Sequence, residues 1–301
     1  METSSIDVRY PRIGAVGLGR MGSPIEAILS HTLTVRAFDI DAKREAVIPG
    51  IGCASSLSDL TTAIDVLVTV LPGPEELCQC MTDAFPALLP GTLWLDFTSG
   101  DPAVSRVLGE EAERRGIELV SAPMAGSVAE AAAGELVFFT SGTHGAVARA
   151  LPILQALSGE DGVRRAGSRV EDAQIVKLLA NGLWFANAVA TSEALLIGQG
   201  LGLATADLHS LLQGSADGSR FLDEHLVRLL DGDYLETLGI VRVVEELNTI
   251  RTMSEAAGVT TPLLNTSRQL HHAAFDRFGP AIGELLAVKL LEEAAGRPLR
   301  R

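Results

Sequence analysis

The sequence predicts an α/β protein in which a doubly wound parallel sheet is followed by a long helix and an all-α domain. Three observations predict this fold. Short apolar runs alternate with helix-like segments through the first half of the chain, which is typical of a parallel sheet covered by helices. Residues 170–200 contain no proline and are apolar on almost every side, as in a long buried helix. Beyond Thr205 only helix-like segments follow. The predicted domains are residues 1–168 and 169–301.

The first predicted strand, residues 12–16, runs directly into a glycine-rich turn and a helix-like segment at 24–30. A dinucleotide site of this kind needs glycine at three places. Gly17 allows the tight turn, Gly19 lets the backbone approach a pyrophosphate, and Gly22 lets the helix pack on the strand. Strand, turn and helix together predict a dinucleotide-binding unit.

Asp39 ends the second predicted strand, residues 33–38, and follows Gly22 by seventeen residues. An acid at this place accepts hydrogen bonds from a ribose 2′-hydroxyl and repels a 2′-phosphate. The predicted cofactor is therefore NAD, and NADP is disfavoured. The alternative is that Asp39 caps a helix containing Lys43 and Arg44.

Two further strands are predicted at residues 65–71 and 92–97, and a helix at 102–115. Ligands of parallel sheets bind beyond the carboxyl ends of the strands. The residues at these ends, Leu71-Pro72 and Thr98-Ser99, are thus expected to face the cofactor. Ordinary turn chemistry explains the same residues without any ligand.

A strand at residues 117–120 leads into a loop of small residues, 121–127, and then into a helix at 128–133. Backbone N–H groups at such a loop and helix start can hold an anionic group, for example a substrate carboxylate. The alternative interpretation is a flexible linker.

The long helix carries a polar stripe formed by Glu171, Gln174, Lys177 and Asn181, which are spaced three, three and four residues apart. This spacing places them on one face. A lysine in a largely apolar helix needs an ionic partner or a wet cleft, which makes Lys177 the first candidate for chemistry. Alternatively, Lys177 reaches the surface or pairs with Glu171 or Glu193.

The C-terminal half is predicted to be all-α, because helix-like segments separated by glycines continue to its end. Since the long helix is apolar nearly all round, two small domains do not cover it fully. A homodimer or homotetramer is therefore expected. The predicted helices are 207–212, 221–230, 240–257, 261–278 and 281–294.

The composition excludes several classes of partner. The net charge of the 301 residues is −14, from 24 basic and 38 acidic side chains, and no basic run forms a patch, so neither nucleic acid nor an anionic membrane is expected. Three cysteines without metal-ligand spacing predict reduced thiols in a cytoplasm and no metal site. The adjacent His271 and His272 point to different helix faces, which argues against a shared metal ion.

No targeting segment is expected before Arg12, and charged residues in the long helix argue against a membrane span.

Four segments together resemble the β-hydroxyacid dehydrogenase family, which includes 3-hydroxyisobutyrate dehydrogenase and tartronate semialdehyde reductase. Their order and spacing agree along the whole chain. The segments are residues 14–24 (GAVGLGRMGSP), similar to GxxGLGxMGxP; 96–99 (DFTS), similar to DxST; 121–127 (SAPMAGS) with 131 and 134–136 behind, similar to the substrate loop DAPVSGG…A…GTL; and 177–181 (KLLAN), similar to KxxNN.

The resemblance implies a Rossmann-type domain, a long connecting helix and an all-α domain that covers the cleft. It implies hydride transfer between NAD(P) and a small β-hydroxy acid, with Lys177 as general acid/base and Asn181 orienting the lysine or the substrate. The predicted cofactor-binding residues are Gly17, Leu18, Gly19, Arg20, Met21, Asp39, Leu71, Pro72, Thr98 and Ser99, and the predicted substrate-binding residues are Ala125, Gly126, Ser127 and Glu245.

The sequence departs from the family pattern at several substrate positions. Ala125 replaces a serine of the loop, Ser127 replaces a glycine, and Glu245-Glu246 stand where the family has Lys-Asp. Glu245 suggests a substrate that carries a cation or lacks the usual carboxylate. Alternatively, Glu245 pairs with Arg242 on its own helix.

Two other functions remain open from the sequence. Relatives with this architecture reduce imines, but they usually carry Asp or Tyr where this chain has Lys177. A protein that binds the dinucleotide without turnover is the second alternative. Ala125 and Glu245 favour that reading, whereas Lys177 and Asn181 oppose it.

Overall fold

A computed structural model describes residues 11–45, 51–216, 218–236 and 238–301. The expectation about targeting before Arg12 concerns a segment that lies almost wholly outside these residues. The chain divides into two compact units, Met1–Lys177 and Leu178–Arg301. Each is described below by itself.

The first unit is built on a sheet whose strands follow the order β3-β2-β1-β4-β5-β6-β8-β7, with β9 beside β8. Pairing is parallel from β3 through to β6, and β8 is antiparallel to β6 and β7. The order 3-2-1-4-5-6 is that of doubly wound dinucleotide-binding sheets, which confirms the predicted fold class. The strands are β1 (Arg12–Val16), β2 (Thr34–Phe38), β3 (Gly52–Cys53), β4 (Val66–Thr69), β5 (Leu93–Asp96), β6 (Glu118–Ser121), β7 (Met124–Ala125), β8 (Leu136–Ser141) and β9 (Ser158–Gly167).

The central strands β1, β4 and β5 are buried along nearly their whole length because both faces of the sheet are covered there. In β1, Ile13 and Ala15 contribute to one core cluster and Val16 to the other. In β4, Val66 and Val68 lie on the first side and Leu67 on the second. Continuous apolar runs of this kind are expected when helices cover both faces of a parallel sheet.

Seven helices lie wholly within the described part of the first unit, and the eighth begins there. The helices predicted at 102–115 and 128–133 are confirmed within one residue at each end. These elements are α1 (Gly22–Ser30), α2 (Ala42–Glu45), α3 (Leu57–Thr61), α4 (Pro74–Ala84), α5 (Pro102–Arg114), α6 (Val128–Ala133), α7 (His144–Ala156) and α8 (Asp172–Gly200).

The described residues of the second unit form helices joined by loops, with one isolated bridge between Gly239 and Ile282, which confirms the predicted all-α domain. Its core consists of two clusters, one around Leu195 and Leu226 and one around Phe185. The segment predicted as one helix at 221–230 begins with a π-helical turn, Phe221–His225. The other elements are α9 (Thr205–Leu212), α10 (Leu226–Leu230), α11 (Ile240–Ala256), α12 (Pro262–Phe278) and α13 (Leu286–Ala295).

Helix α8 is buried on one side and exposed on another. Leu178 and Phe185 are core residues, whereas Leu179, Leu183 and Ile197 are 45%, 61% and 65% exposed. The prediction that this helix is buried on every side is therefore wrong for one stripe. Neither α8 nor any other described helix has the length and apolar character needed to cross a membrane.

Candidate active site

The glycine-rich turn after β1 has the geometry that a dinucleotide requires. Gly17 has φ +103°, and a Cβ there would lie 2.2 Å from the Val70 carbonyl oxygen. A Cβ on Gly22 would lie 1.8 Å from the carbonyl oxygen of Gly17. At Gly19, Arg44 Nη1 at 3.6 Å is the one atom of the described residues that a Cβ would meet within 4 Å. The turn is therefore closed on its protein side and open at Gly19, where the pyrophosphate is expected to approach.

The N-terminus of α1 has no side-chain cap, because its N-cap residue, Met21, makes no such hydrogen bond. Uncapped N–H groups and the helix dipole favour an anion at this place. Gly19, Arg20 and Met21 are at least partly exposed here. Leu18 differs, since its side chain is buried and its N–H donates to Asp39. Within the predicted cofactor set, Leu18 supports Asp39.

The Asp39 carboxylate is fixed by the backbone directly after β2. Oδ2 accepts from the Leu18 N–H at 2.7 Å and Oδ1 from the Asp41 N–H at 2.8 Å. Arg44 Nη1 lies 3.7 Å from Oδ2. Helix α2 begins at Ala42, and Asp41 Oδ1 accepts from the Lys43 N–H at 3.2 Å. Capping of α2 is therefore supplied by Asp41, and Asp39 remains at the strand end.

The ends of β4 and β5 are joined by a buried polar network. Asp96 Oδ1 accepts from the Thr69 hydroxyl at 2.8 Å and from the Thr98 N–H at 3.1 Å. Burial raises the pKa of Asp96 to about 6, although these hydrogen bonds oppose the shift. The Thr98 hydroxyl in turn accepts from the Leu71 N–H at 3.1 Å. Two predicted cofactor-binding positions, Leu71 and Thr98, are thus held together at one edge of the sheet, with Pro72 and Ser99 beside them.

Helix α8 begins against these strand ends through Gln174, a buried residue to which sequence reasoning gave no role. Its Nε2 donates to the Thr98 carbonyl oxygen at 2.8 Å and to Ser121 Oγ at 3.2 Å. Its Oε1 accepts from the Gly100 N–H at 2.9 Å. The polar stripe already indicated a role for Gln174, because an amide that is buried in a largely apolar helix needs hydrogen-bond partners.

Lys177 follows Gln174 by three residues and is the last residue of the first unit. Residues three apart on a helix are neighbours on one face. The half-buried Lys177 therefore lies on the side of α8 that Gln174 turns toward the strand ends. Glu171, one of the alternative partners for the lysine, has the Arg169 guanidinium 3.7 Å away.

The small-residue loop after β6 is ordered by pairing and capping. Ala125 lies in β7 and pairs with β8. Gly126 has φ +140°, and a Cβ there would lie 2.7 Å from Leu136 Cδ2. Ser127 caps α6: its N–H donates to Glu130 Oε2 at 2.7 Å, and its Oγ accepts from the Glu130 N–H at 3.4 Å. The flexible-linker interpretation is wrong, and both polar groups of Ser127 have partners within the capping box.

In the second unit, Asn181 Nδ2 donates to Glu246 Oε2 at 2.7 Å. The neighbouring Glu245 instead accepts from Arg242 Nη1, also at 2.7 Å. The ion pair considered as an alternative for Glu245 is thus present. The acid beside Asn181 is Glu246, which sequence reasoning placed at the family's Asp position without giving it a role.

Comparison with known proteins matches both halves of the chain. The family model described as the NAD binding domain of 6-phosphogluconate dehydrogenase matches residues 12–167. The model described as NAD-binding of NADP-dependent 3-hydroxyisobutyrate dehydrogenase matches residues 172–291.

Two curated relatives cover most of the chain. A probable 3-hydroxyisobutyrate dehydrogenase of Mycobacterium tuberculosis is 30% identical over 67% of this chain and 69% of its own length. An NAD-dependent L-serine dehydrogenase of Pseudomonas aeruginosa is 28% identical over 70% and 72%, respectively.

Solved structures share the fold over almost the whole chain. Mycobacterium tuberculosis 3-hydroxyisobutyrate dehydrogenase with L-serine superposes with a TM-score of 0.84 at 24% identity, covering 94% of this chain and 99% of that one. An imine reductase from Streptomyces aurantiacus superposes with a TM-score of 0.61 at 17% identity, covering 93% of this chain and 99% of that one. At these identities both likenesses concern the fold alone.

Proposed function

The chain belongs to the β-hydroxyacid dehydrogenase family, and from that premise we propose that it transfers hydride between NAD and a small 3-hydroxy acid. It is an NAD(P)-dependent oxidoreductase of hydroxy acids. The proposal adds the residues that carry the reaction and the choice of cofactor. The observation that carries it is that Gln174 holds the start of α8, and with it Lys177, beside the strand ends that present Leu71 and Thr98.

Lys177 is the general acid/base of this proposal. NAD, when bound, takes up or supplies the hydride and its electron pair. In the oxidative direction the neutral Lys177 amine accepts the proton of the hydroxyl group while the hydride leaves the carbon that bears this hydroxyl, so that a carbonyl group and an ammonium result. In the reductive direction the ammonium returns that proton to the carbonyl oxygen. Asn181, one turn further along α8, orients the lysine or the substrate hydroxyl, because its amide nitrogen is committed to Glu246 and its carbonyl oxygen can accept.

The preference for NAD rests on the fixed carboxylate of Asp39. Two backbone N–H groups hold it at the end of β2, where ribose hydroxyls are expected. A 2′-phosphate there would meet a negative charge. The nearby Arg44 offers an opposing attraction, so the ratio of activities with NAD and NADP is a direct test.

The proposed substrate class, small 3-hydroxy acids, rests on the loop after β6 and on the names of the relatives. The loop's contribution to carboxylate binding is assigned to the backbone around Ala125 and Gly126, since Ser127 is committed to its capping box. We give Glu245 no direct contact, because Arg242 already neutralises it. The names of the relatives make L-serine, a 3-hydroxy acid that carries an ammonium group, one member of the class to be tried.

We assign residues 1–168 to cofactor binding and residues 169–301 to substrate binding and dimerisation. We also assign the enzyme to the cytoplasm.

The test is an absorbance assay of NADH or NADPH formation with the purified protein and each oxidised cofactor. The panel contains 3-hydroxyisobutyrate, L-serine, 3-hydroxypropionate, their methyl esters and simple amino alcohols. We expect turnover of at least one free acid, faster with NAD than with NADP, and a loss of turnover in the matching ester. A parallel assay offers cyclic imines with NADH or NADPH and follows the loss of absorbance, because imine reduction consumes the reduced cofactor; turnover of imines alone would favour the imine reductase. Binding of NADH by calorimetry without any turnover would favour the non-catalytic alternative.

The exposed stripe on α8 supports a homodimer. Leu179, Leu183 and Ile197 are exposed on one face of the helix, and exposed large apolar side chains gathered on one face favour an interaction site. A second copy of this chain is the proposed partner. We expect Leu183→Glu to reduce the mass measured by light scattering to about half. Leu89→Glu, which alters an exposed leucine of the first unit, is the control and should leave the mass unchanged; a dimeric Leu183→Glu protein would contradict the assignment.

A further inference from the structure

We infer that Gln174 is a positioning residue for Lys177. Its amide fastens the first turn of α8 to the ends of β5 and β6, and thereby sets where the lysine is presented. The inference rests on the proposed role of Lys177 as general acid/base. All residues that carry it lie in the first unit of the chain.

The Gln174 amide joins the start of α8 to two other segments of the chain, the loop after β5 and the end of β6. Its two N–H groups reach the Thr98 carbonyl oxygen after β5 and the Ser121 hydroxyl at the end of β6. Its carbonyl oxygen receives the N–H of Gly100, on the other side of Ser99. The side chain is fully buried, so its amide depends on these groups for its hydrogen bonds. Glutamate would lack both donors, and asparagine is one methylene shorter.

A second side chain fixes the same turn from the end of β8. Ser141 Oγ accepts from the Ala173 N–H at 3.1 Å and donates to the Val170 carbonyl oxygen at 2.8 Å. The two Ser141 contacts hold the start of α8, and the Gln174 contacts determine the rotation of the helix about its axis. With position and rotation both fixed, the direction of Lys177, one turn on, is fixed as well.

The same hydrogen bonds connect the lysine to the predicted cofactor edge. Thr98 receives Gln174 at its carbonyl oxygen and Leu71 at its hydroxyl. Asp96 also holds Thr98, through the Thr98 N–H, so loss of the Gln174 contacts should move the first turn of α8 and Lys177 more than it moves Thr98 and Leu71. Because a misplacement of about 1 Å can lower a rate about 100-fold, the loss of this anchor is expected to affect kcat rather than cofactor binding.

The test compares Gln174→Met, which removes all the hydrogen bonds, with Ser121→Ala, which removes one and leaves the fold least disturbed. Gln199→Met is the matched control, since Gln199 lies at the other end of α8 and donates to the Pro298 carbonyl oxygen at 3.1 Å. Kinetics are measured per folded molecule. The lysine environment is followed by NMR on protein dimethylated with labelled formaldehyde, because the chain has only three lysines, Lys43, Lys177 and Lys289.

We expect Gln174→Met to lower kcat about 100-fold while KM for NAD stays within about twofold. The Lys177 signal should move both without and with NADH, and the Lys43 and Lys289 signals should not. Ser121→Ala should act in the same direction but less, which keeps the test valid even where Gln174→Met fails to fold. Gln199→Met should leave kcat and the Lys177 signal unchanged.

A purely structural role gives a different result. The melting temperature would then fall, while kcat per folded molecule and the Lys177 signal would stay as in the parent protein; this outcome overturns the inference. The NMR measurement needs no turnover. A failure of the proposed function, seen as full activity of a Lys177 variant, is thus distinguishable from a failure of Gln174 to position the lysine.

Discussion

Lys177→Ala is expected to lower kcat by about 100- to 10,000-fold, the range that loss of a general acid/base produces. The physical reason is that the hydroxyl group must lose its proton as the hydride leaves the carbon that bears this hydroxyl. Without the lysine that proton passes to water, which is not held at the reacting oxygen. Because the cofactor-binding turn lies on other elements, NADH affinity, measured by fluorescence, should stay within about threefold of the parent value.

Two further variants separate the charge of Lys177 from its proton transfer. Lys177→Arg keeps a cation but cannot serve as a base at accessible pH, so it should bind substrate and fail to oxidise it. Lys43→Ala removes an exposed lysine and should leave kcat unchanged. An active Lys177→Ala enzyme, within about threefold of the parent, would show that another group moves the proton.

Glu26→Gln is expected to stabilise the protein increasingly as the pH rises. Glu26 lies in α1 and is fully buried, and neither of its carboxyl oxygens has a hydrogen-bond partner within the described residues. Burial, with a smaller contribution from the nearby Asp39, raises its pKa from 4.5 to about 9. The carboxyl group is therefore neutral in the folded protein near neutral pH and ionised in the unfolded chain.

The sign follows from proton binding. Between pH 4.5 and about 9 the folded state holds a proton that the unfolded state has lost, so the folded state is destabilised as the pH rises. The contribution of the Glu26 carboxyl group to stability is fully present below its pKa in the unfolded chain. It is lost as the pH rises to its pKa in the folded protein. The free energy of unfolding should fall by at most about 1.4 kcal/mol per pH unit from this group.

Denaturant unfolding at about pH 5 and about pH 8 measures the effect. The difference between Glu26→Gln and the parent should grow toward the higher pH, since glutamine does not ionise. Glu113→Gln, which removes an exposed glutamate of α5, is the control for the loss of a surface carboxylate. Parallel pH curves for Glu26→Gln and the parent would mean that Glu26 is ionised in the folded protein.

The two predictions concern two parts of the proposed site. Lys177, the proposed general acid/base, lies near the start of α8, whereas Glu26 lies in α1, after the glycine turn, and close enough to Asp39 to be affected by its charge. A neutral Glu26 keeps a second negative charge away from the N-terminus of α1, where a pyrophosphate is expected. The buried acid thus destabilises the fold at high pH without opposing the cofactor.

Local patterns in the sequence were sufficient for much of the fold and part of the site. The glycine turn, the acid at the end of β2 and the helix at residues 128–133 depend on backbone geometry and on near neighbours. The all-α second unit followed from helical periodicity. Strand β9 was missed because half of its ten residues are polar or charged and three more are glycines, and its place in the sheet comes from pairing with β8.

The sequence by itself thus determined the glycine turn, Asp39, the long helix and the lysine on its polar stripe, because each has a signature within a few residues or one helical period. Tertiary structure alone decided which groups those side chains meet. Gln174 finds Thr98 and Ser121, which are 76 and 53 residues away in the chain, and Asn181 finds Glu246. It also decided which side of α8 stays exposed. Partners so distant in sequence are brought together by packing, and no local spacing records them.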